Sequence, residues 1–209
     1  MPHISGKLIS IEGGEGAGKT TVMQAVRDCL AQTGKTVICT REPGGTDVGE
    51  EIRRVLLTPG RTLDAGTELL LMFASRAQLV NALIKPALAR GDYIVTDRFT
   101  DASFAYQGGG RGIEASDIRA LETRFVGIQP DLTLLLDLSV DQGMARAQSR
   151  GQSLDRIESE RHDFFLNVRA AYLRRAAEDP QRIKIIDASQ TPESVVRQVL
   201  DALTIWMKA

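Results

Sequence analysis

The stretch Gly13-Gly14-Glu15-Gly16-Ala17-Gly18-Lys19-Thr20-Thr21 carries the spacing G-x-x-x-x-G-K-[ST], which is the spacing of a loop that cradles phosphate. Its glycines let successive backbone N–H groups turn inward toward phosphate oxygens. Lys19 supplies a mobile positive charge for the β- and γ-phosphates of a nucleotide, and the Thr20 hydroxyl is the expected Mg²⁺ ligand. The helix that starts here points its positive dipole end at the same anion. An apolar run, Lys7 to Glu12, reads as the strand before the loop. Val22, Met23, Val26, Cys29 and Leu30 give the following helix its buried face.

A phosphate cradle gives nucleotide binding, and the residues at the other strand ends decide the reaction. Asp97 ends an apolar run and is followed at once by Arg98. A carboxylate at that place can hold Mg²⁺ directly or through water. Asp137 also ends a strand and competes for that role, although it leads into a helix and reads equally as a turn residue. Arg41, Arg53 and Arg98 come from three separate elements. Arg146, Arg150 and Arg156 come from another segment. One arginine alone is most simply a solvated charge. Two groups flanking one phosphate loop suggest two phosphate-bearing substrates, because a guanidinium fork binds phosphate bidentately and phosphoryl transfer concentrates negative charge.

These residues need a scaffold that brings strand ends together. Strands are predicted at Lys7–Glu12, Thr36–Thr40, Tyr93–Asp97, Leu132–Asp137 and Ile183–Asp187, each apolar and short. Helical spacing fills the intervals. It runs from Val48 to Leu57, from Leu63 to Arg90 with a break near Pro86, and from Ile113 to Phe125. Further helices follow Val140, bury Phe164, Phe165, Val168 and Tyr172, and start at Pro192 with Trp206 inward. The run Gln107 to Gly112 reads as a loop too rich in glycine for a helix. Gly151 to Arg156 reads as polar and mobile. Strands alternating with helices predict an α/β fold, a five-stranded parallel sheet covered by helices on both faces. Ligands of such sheets bind at the carboxyl ends of the strands.

Composition narrows the partners. The 209 residues fit one domain, 43% hydrophobic and 25% charged, with a formal net charge of −1 and so no basic field for nucleic acid. Cys29 and Cys39 lie in apolar runs and read as small core residues in a reducing compartment. No signal-peptide core and no membrane-length apolar stretch is present in the sequence. A cytoplasmic enzyme is therefore expected.

Glu12-Gly13-Gly14-Glu15-Gly16-Ala17-Gly18-Lys19-Thr20-Thr21, Thr40-Arg41-Glu42-Pro43-Gly44-Gly45-Thr46, Asp97-Arg98-Phe99, Ala105-Tyr106-Gln107-Gly108, Pro130-Asp131-Leu132-Thr133 and Leu154-Asp155-Arg156-Ile157-Glu158 occur in this order. Together they make the chain resemble the bacterial thymidylate kinases. The resemblance implies a P-loop NTPase fold of the nucleoside monophosphate kinase type, one domain over 1–209 with a small mobile lid at about 146–158. It implies transfer of the ATP γ-phosphate to dTMP with Mg²⁺, and a homodimer. Glu15 is then expected at the deoxyribose 3′-hydroxyl, Arg41 and Arg98 at the phosphates, and Arg53 on dTMP. Arg76 is expected to donate to a thymine carbonyl. Ser103 and Gln107 would bound the base, and Tyr106 would stand where a ribose 2′-hydroxyl is disfavoured. Members place a basic residue for the ATP phosphates either in the P-loop or in the lid. Position 16 is glycine, so Arg146, Arg150 and Arg156 of the lid are expected to supply it.

The chain departs from the family at one point. A phenylalanine usual four residues before the helix arginine is Met72 here, with Phe73 one residue later and about 100° round the helix. Either Met72 covers the base through its sulfur, or a local shift lets Phe73 stack. A core role for both fits the periodicity. Two other readings share the P-loop: a different nucleoside monophosphate or small-molecule kinase, and a nucleotide-switch binding module. The T-R-E-P and A-Y-Q-G segments set the chain apart from the first, and it lacks the N-K-x-D guanine-reading segment of the second.

Overall fold

A computed structural model describes residues 6–149 and 155–208. Its strands are β1 (Lys7–Gly13), β2 (Val37–Arg41), β3 (Tyr93–Asp97), β4 (Leu132–Asp137) and β5 (Ile183–Asp187), all within two residues of the predicted bounds. They form one parallel sheet in the order β2-β3-β1-β4-β5. The chain leaves β1 toward one edge, returns through β3, then crosses to β4 on the other side. The switch in direction therefore lies at β1, and the crevice beyond its carboxyl end is where such sheets bind ligands.

Near-continuous apolar strands are what a sheet covered on both faces needs. Helices α1 (Lys19–Ala31) and α9 (Pro192–Lys208) cover one face. Val22, Val26 and Leu30 meet Val195, Val199 and Leu203 over Ile9, Ile11 and Leu134 there. The other face takes α3 (Ala65–Leu79), α4 (Lys85–Arg90) and α8 (His162–Glu178). The period of two sends Ile9 and Ile11 to the α1 face and Leu8, Ser10 and Glu12 to the opposite one. Ser10, Glu12, Thr96 and Thr133 are all fully buried on or beside that second face, forming a polar seam. Ser10 and Thr133 share a hydroxyl–hydroxyl bond of 2.7 Å. Helix α2 (Asp47–Leu57) lies against α3 and is capped by Thr46, whose Oγ1 accepts from Gly49 N–H.

Several expectations are corrected. The long helical stretch is not broken near Pro86 but changes character before it: Val80–Ile84 is a π-helical turn closed by Lys85 N–H onto the Val80 carbonyl, and Pro86 follows at the start of α4. The predicted helix 113–125 divides into α6 (Ala115–Leu121) and a π-helical turn, Glu122–Val126. Cys39 is exposed on the edge strand β2 and is not a core residue, while Cys29 is half-buried and packs against the core under α1 and α9. No helix among the described residues is long and apolar enough to cross a membrane.

The largest correction is Gln107 to Gly110, which belongs to a π-helical segment, Phe104–Gly110, running on from the short helix α5 (Thr100–Ser103). Its glycines answer a packing demand. A Cβ at Gly109 would lie 2.6 Å from Ala171 Cβ and 2.7 Å from the Asn167 carbonyl oxygen, and one at Gly110 would overlap the Phe164 ring. The segment therefore rests its backbone directly on α8. Gly109→Ala is expected to lower stability by roughly 1–3 kcal/mol through overpacking, measured by thermal melting. A neutral or higher melting temperature, as for a glycine with free space, would contradict this packing.

Candidate active site

A cavity of about 490 Å³ opens at the carboxyl ends of β1, β2 and β3. Its floor is the P-loop with Lys19 and Thr20, and its walls include Arg53, Met72, Arg76, Asp97, Arg98, Ser103, Tyr106 and Gln107. A second cavity of about 280 Å³ lies on the far side of the P-loop, between Thr21, Val22, Arg146, Gln190 and Val195. Gly16, Ala17, Gly18, Thr21 and Arg146 border both.

The P-loop adopts the conformations its glycines allow, with φ of 70° at Gly16 and 90° at Gly18. Gly14 remains partly open. Buried Lys19 donates to the carbonyls of Gly13 at 3.2 Å and Gly14 at 3.1 Å. Burial, with the Arg98 charge beside it, pushes its ammonium pKa below the ordinary lysine value. Helix α7 (Val140–Gln148) backs directly onto the loop: a Cβ at Gly16 would collide with the Gly143 carbonyl, and one at Gly143 would come within 2.5 Å of the Glu15 carbonyl oxygen. An arginine at position 16 has no room. Arg146, one turn further along α7, donates to the Ala188 carbonyl at 2.9 Å and borders the P-loop instead.

Arg98 is the one non-glycine residue with a left-handed backbone among the described residues, at φ 71°. Its N–H donates to the Ile11 carbonyl at 3.0 Å, and its Nη2 donates to Glu15 Oε1 at 2.6 Å and to the Tyr106 hydroxyl oxygen at 2.7 Å. Burial alone would raise the Glu15 carboxyl; Arg98, with Lys19 behind it, holds it down at about 2. Burial, partly opposed by Arg98, pushes the Tyr106 phenol well above its ordinary range. Asp97 Oδ1 and Arg98 Nε are buried without a hydrogen-bond partner among the described residues. Asp137, the rival of Asp97 for a cation, is instead gripped by Arg169 through both its oxygens, at 2.7 and 2.9 Å.

At the other end of the cavity Arg76 is 2% exposed. It donates to Glu42 Oε2 at 2.6 Å, Ser103 Oγ at 2.9 Å and the Phe99 carbonyl at 3.0 Å. Met72 lines the cavity, whereas Phe73 is buried in the core beneath the Arg76 guanidinium, 4.8 Å from it. Phe73 as a base-stacking residue is thereby corrected. Their one-residue offset sends the two side chains to different faces of α3. Arg53 donates to the Pro43 carbonyl at 2.9 Å on the cavity wall. Arg41 does not line the cavity: its guanidinium is 54% exposed and held by both oxygens of Glu50.

Arg156, expected on a mobile lid, is instead buried. It donates to the Leu56 carbonyl at 2.6 Å and to Glu68 Oε2 at 2.7 Å, away from the P-loop. The cause is Glu68, a carboxylate with no exposure that needs positive partners. Arg150 and residues 151–154 lie outside the described residues. Sequence reasoning passed over Glu68, though Glu68, Met72 and Arg76 recur every fourth residue on α3, a charge on the stripe that faces the cavity.

Glu12 was also passed over. It is fully buried, accepting from Phe99 N–H and from the Tyr172 hydroxyl, both at 2.7 Å. Burial and the nearby Asp101 carboxylate raise its pKa to about 8, against the pull of those two donors. A carboxyl raised on folding stabilises the fold fully below its unfolded value of 4.5 and loses that contribution as pH climbs through about 8. Melting temperature should therefore fall between pH 6 and 9 more steeply in the wild type than in Glu12→Gln. Parallel curves would contradict a protonated Glu12.

Comparison with known proteins agrees in extent as well as in motif. The thymidylate kinase family model matches residues 11–199. A thymidylate kinase of Alcanivorax borkumensis is 48% identical over 208 residues, covering 97% of this chain and all of that one. One from Chromohalobacter salexigens is 52% identical, covering 95% of each. The crystal structure of the Ehrlichia chaffeensis thymidylate kinase superposes with a TM-score of 0.78 at 30% identity, covering 95% of this chain and 98% of that one.

Proposed function

The chain belongs to the thymidylate kinase family and phosphorylates dTMP, and on that premise we propose how its residues divide the work of moving the ATP γ-phosphate to dTMP. The observation that carries the proposal is the pair of cavities sharing one P-loop, with Gly16, Gly18, Thr21 and Arg146 bordering both and Lys19 and Arg98 facing the larger. ATP lies with its β- and γ-phosphates in the P-loop and its nucleoside in the smaller cavity. The acceptor fills the larger one. Its base lies between Met72 and the Arg76–Ser103–Gln107 wall, with Arg76 donating to a carbonyl. Its sugar meets Glu15 through the 3′-hydroxyl, while the Tyr106 ring leaves no place for a 2′-hydroxyl. Its phosphate is held by Arg98 and Arg53, and Arg41, outside the cavity lining, would leave Glu50 to join them.

Transfer needs an attacking oxygen held in line and charge neutralised at the moving phosphoryl group. Lys19 and Arg98 supply positive charge at that point; Lys19 is buried and Arg98 only partly exposed, so both act where water screens little. Arg146, with Arg150 on the lid proposed for about 146–158, adds the basic group that Gly16 cannot. Thr20 and Asp97 fit a magnesium ion: Thr20 stands exposed at the start of α1, and Asp97 offers an unpartnered oxygen. No group of three or more His, Cys, Asp or Glu suited to a metal occurs among the described residues, which suits an ion held largely by phosphate and water. Bound Mg²⁺ would neutralise the β- and γ-phosphate oxygens.

The protein is proposed to work as a cytoplasmic homodimer. Val48 on α2 and Leu70 on α3, 51% and 60% exposed, offer apolar surface on adjacent helices for a second copy.

Coupled ADP release with dTMP, dUMP, dCMP, AMP and shikimate tests the acceptor, and dTMP is expected to be used best. Lys19→Ala should lower the rate on the order of 10²–10³ with an unchanged far-UV spectrum. Strong turnover of another monophosphate, or near-normal turnover by folded Lys19→Ala, would overturn this function or the P-loop's role.

A further inference from the structure

Glu68 is 1% exposed at its side chain and joins three donors from three different segments. Its Oε1 accepts from Gln107 Nε2 at 2.9 Å, and its Oε2 accepts from Arg111 Nη2 at 3.0 Å and from Arg156 Nη2 at 2.7 Å. Arg111 is balanced in turn by Glu160 at 2.7 Å. Burial would raise the Glu68 carboxyl, but the bonds from Arg111, Gln107 and Arg156 hold it below its ordinary value. An ionised carboxylate can only accept, so it fixes which end of the Gln107 carboxamide faces it. Among the described residues Gln107 makes its side-chain hydrogen bond through Nε2 alone, and its carbonyl oxygen is left as its free polar group on the cavity wall.

We propose that Glu68 is a positioning residue for acceptor specificity: by taking the amide nitrogen of Gln107, it makes a hydrogen-bond acceptor the group that Gln107 offers the bound base. This rests on the larger cavity being the acceptor site. Arg76, two turns along α3 from Glu68, offers donors on the same wall, and its geometry is set by Glu42 and Ser103. A donor beside an acceptor is the complement of an imide edge, a ring carbonyl next to a ring N–H. The edge of a 4-aminopyrimidine carries an amino group next to a bare ring nitrogen and is mismatched at both. In this arrangement Arg76 reads the carbonyl, Gln107 reads the N–H, and Glu68 sets the polarity of Gln107 without touching the ligand. The same carboxylate ties down Arg156, whose neighbours Asp155 and Ile157 line the cavity. Acceptor recognition and the chain leaving the 150–154 segment thus share one anchor.

The test measures kcat and KM for dTMP and dCMP, with a melting curve, in wild type, Glu68→Gln, Glu68→Asp and Gln107→Leu. In Glu68→Gln the partner can donate, so the Gln107 carboxamide is free to turn over. The dTMP KM should rise and the dTMP-to-dCMP ratio of kcat/KM should fall roughly ten- to a hundredfold, with kcat for dTMP changed far less. Glu68→Asp keeps an acceptor-only charge and should keep the ratio even where its melting temperature drops. Gln107→Leu should lose the ratio as Glu68→Gln does. A folded Glu68→Gln with the wild-type ratio and dTMP KM would overturn the proposal, leaving Glu68 a structural ion pair. If Glu68→Gln yields no folded protein, a wild-type ratio in Gln107→Leu overturns it equally. Failure of the wild type itself to prefer dTMP would instead remove the acceptor reading on which the inference stands.

Discussion

A guanidinium largely withdrawn from water at the carboxyl edge of a parallel sheet calls for a partner, and the pairing of Arg98 with Glu15 at 2.6 Å is the contact on which the rest of this site depends. Parallel register sets Asp97 opposite Ile11, so Arg98 emerges directly over the loop that follows β1. Its backbone is left-handed, a conformation that costs a non-glycine residue of order 1–3 kcal/mol unless its surroundings hold it. The holding groups are the Ile11 carbonyl on Arg98 N–H, the Thr96 hydroxyl on the Arg98 carbonyl, and Glu12 on the next N–H, that of Phe99. Burial of Glu12 in the centre of the sheet thus serves a turn on the neighbouring strand. The turn in turn aims one guanidinium at Glu15 and Tyr106.

The same rule, that buried charge must be matched, organises the wider wall. Arg76 is met by Glu42, Glu68 by Arg111 and Arg156, and Asp101 by Arg175 and Arg182. Each pair joins elements far apart in sequence, so the α8 side of the sheet is held by polar bonds as well as by its apolar clusters. The opposite side, under α1 and α9, is built from aliphatic side chains. This asymmetry has a chemical use. Pre-paired charges and aligned N–H groups need no reorganisation when a phosphoryl group moves past them, and that is where electrostatic catalysis gains most. The anionic ligands meet a surface whose geometry is already fixed by other contacts.

Much of this was legible in the sequence because it is local. The strands announced themselves as short apolar runs, and the P-loop by glycine spacing and a following amphipathic helix. Position 16, read as lacking a basic side chain, proved to be where α7 presses on the loop. What stayed hidden depends on contacts between distant segments. Gly109 and Gly110 looked like loop residues, since nothing local tells that α8 lies against their backbone. Arg156 looked like a solvated lid arginine, since its partner Glu68 is 88 residues away. Phe73 and Met72 could not be told apart by type, only by the face of α3 each occupies. Glu12 was concealed by its position within a strand motif, where the period of two assigned it a side but not a partner.

The central claim is that Arg98 and Glu15 act as one unit, joining acceptor sugar to phosphoryl transfer. A double-mutant cycle tests it most directly: kcat/KM for dTMP in wild type, Glu15→Gln, Arg98→Lys and the double variant, each shown folded by circular dichroism. Residues that act through a shared contact lose that contact only once, so the two losses should overlap by about 0.5–3 kcal/mol. The double variant should then be little worse than the poorer single one. Losses that simply add would mean that Arg98 and Glu15 serve the reaction separately, and would contradict the account.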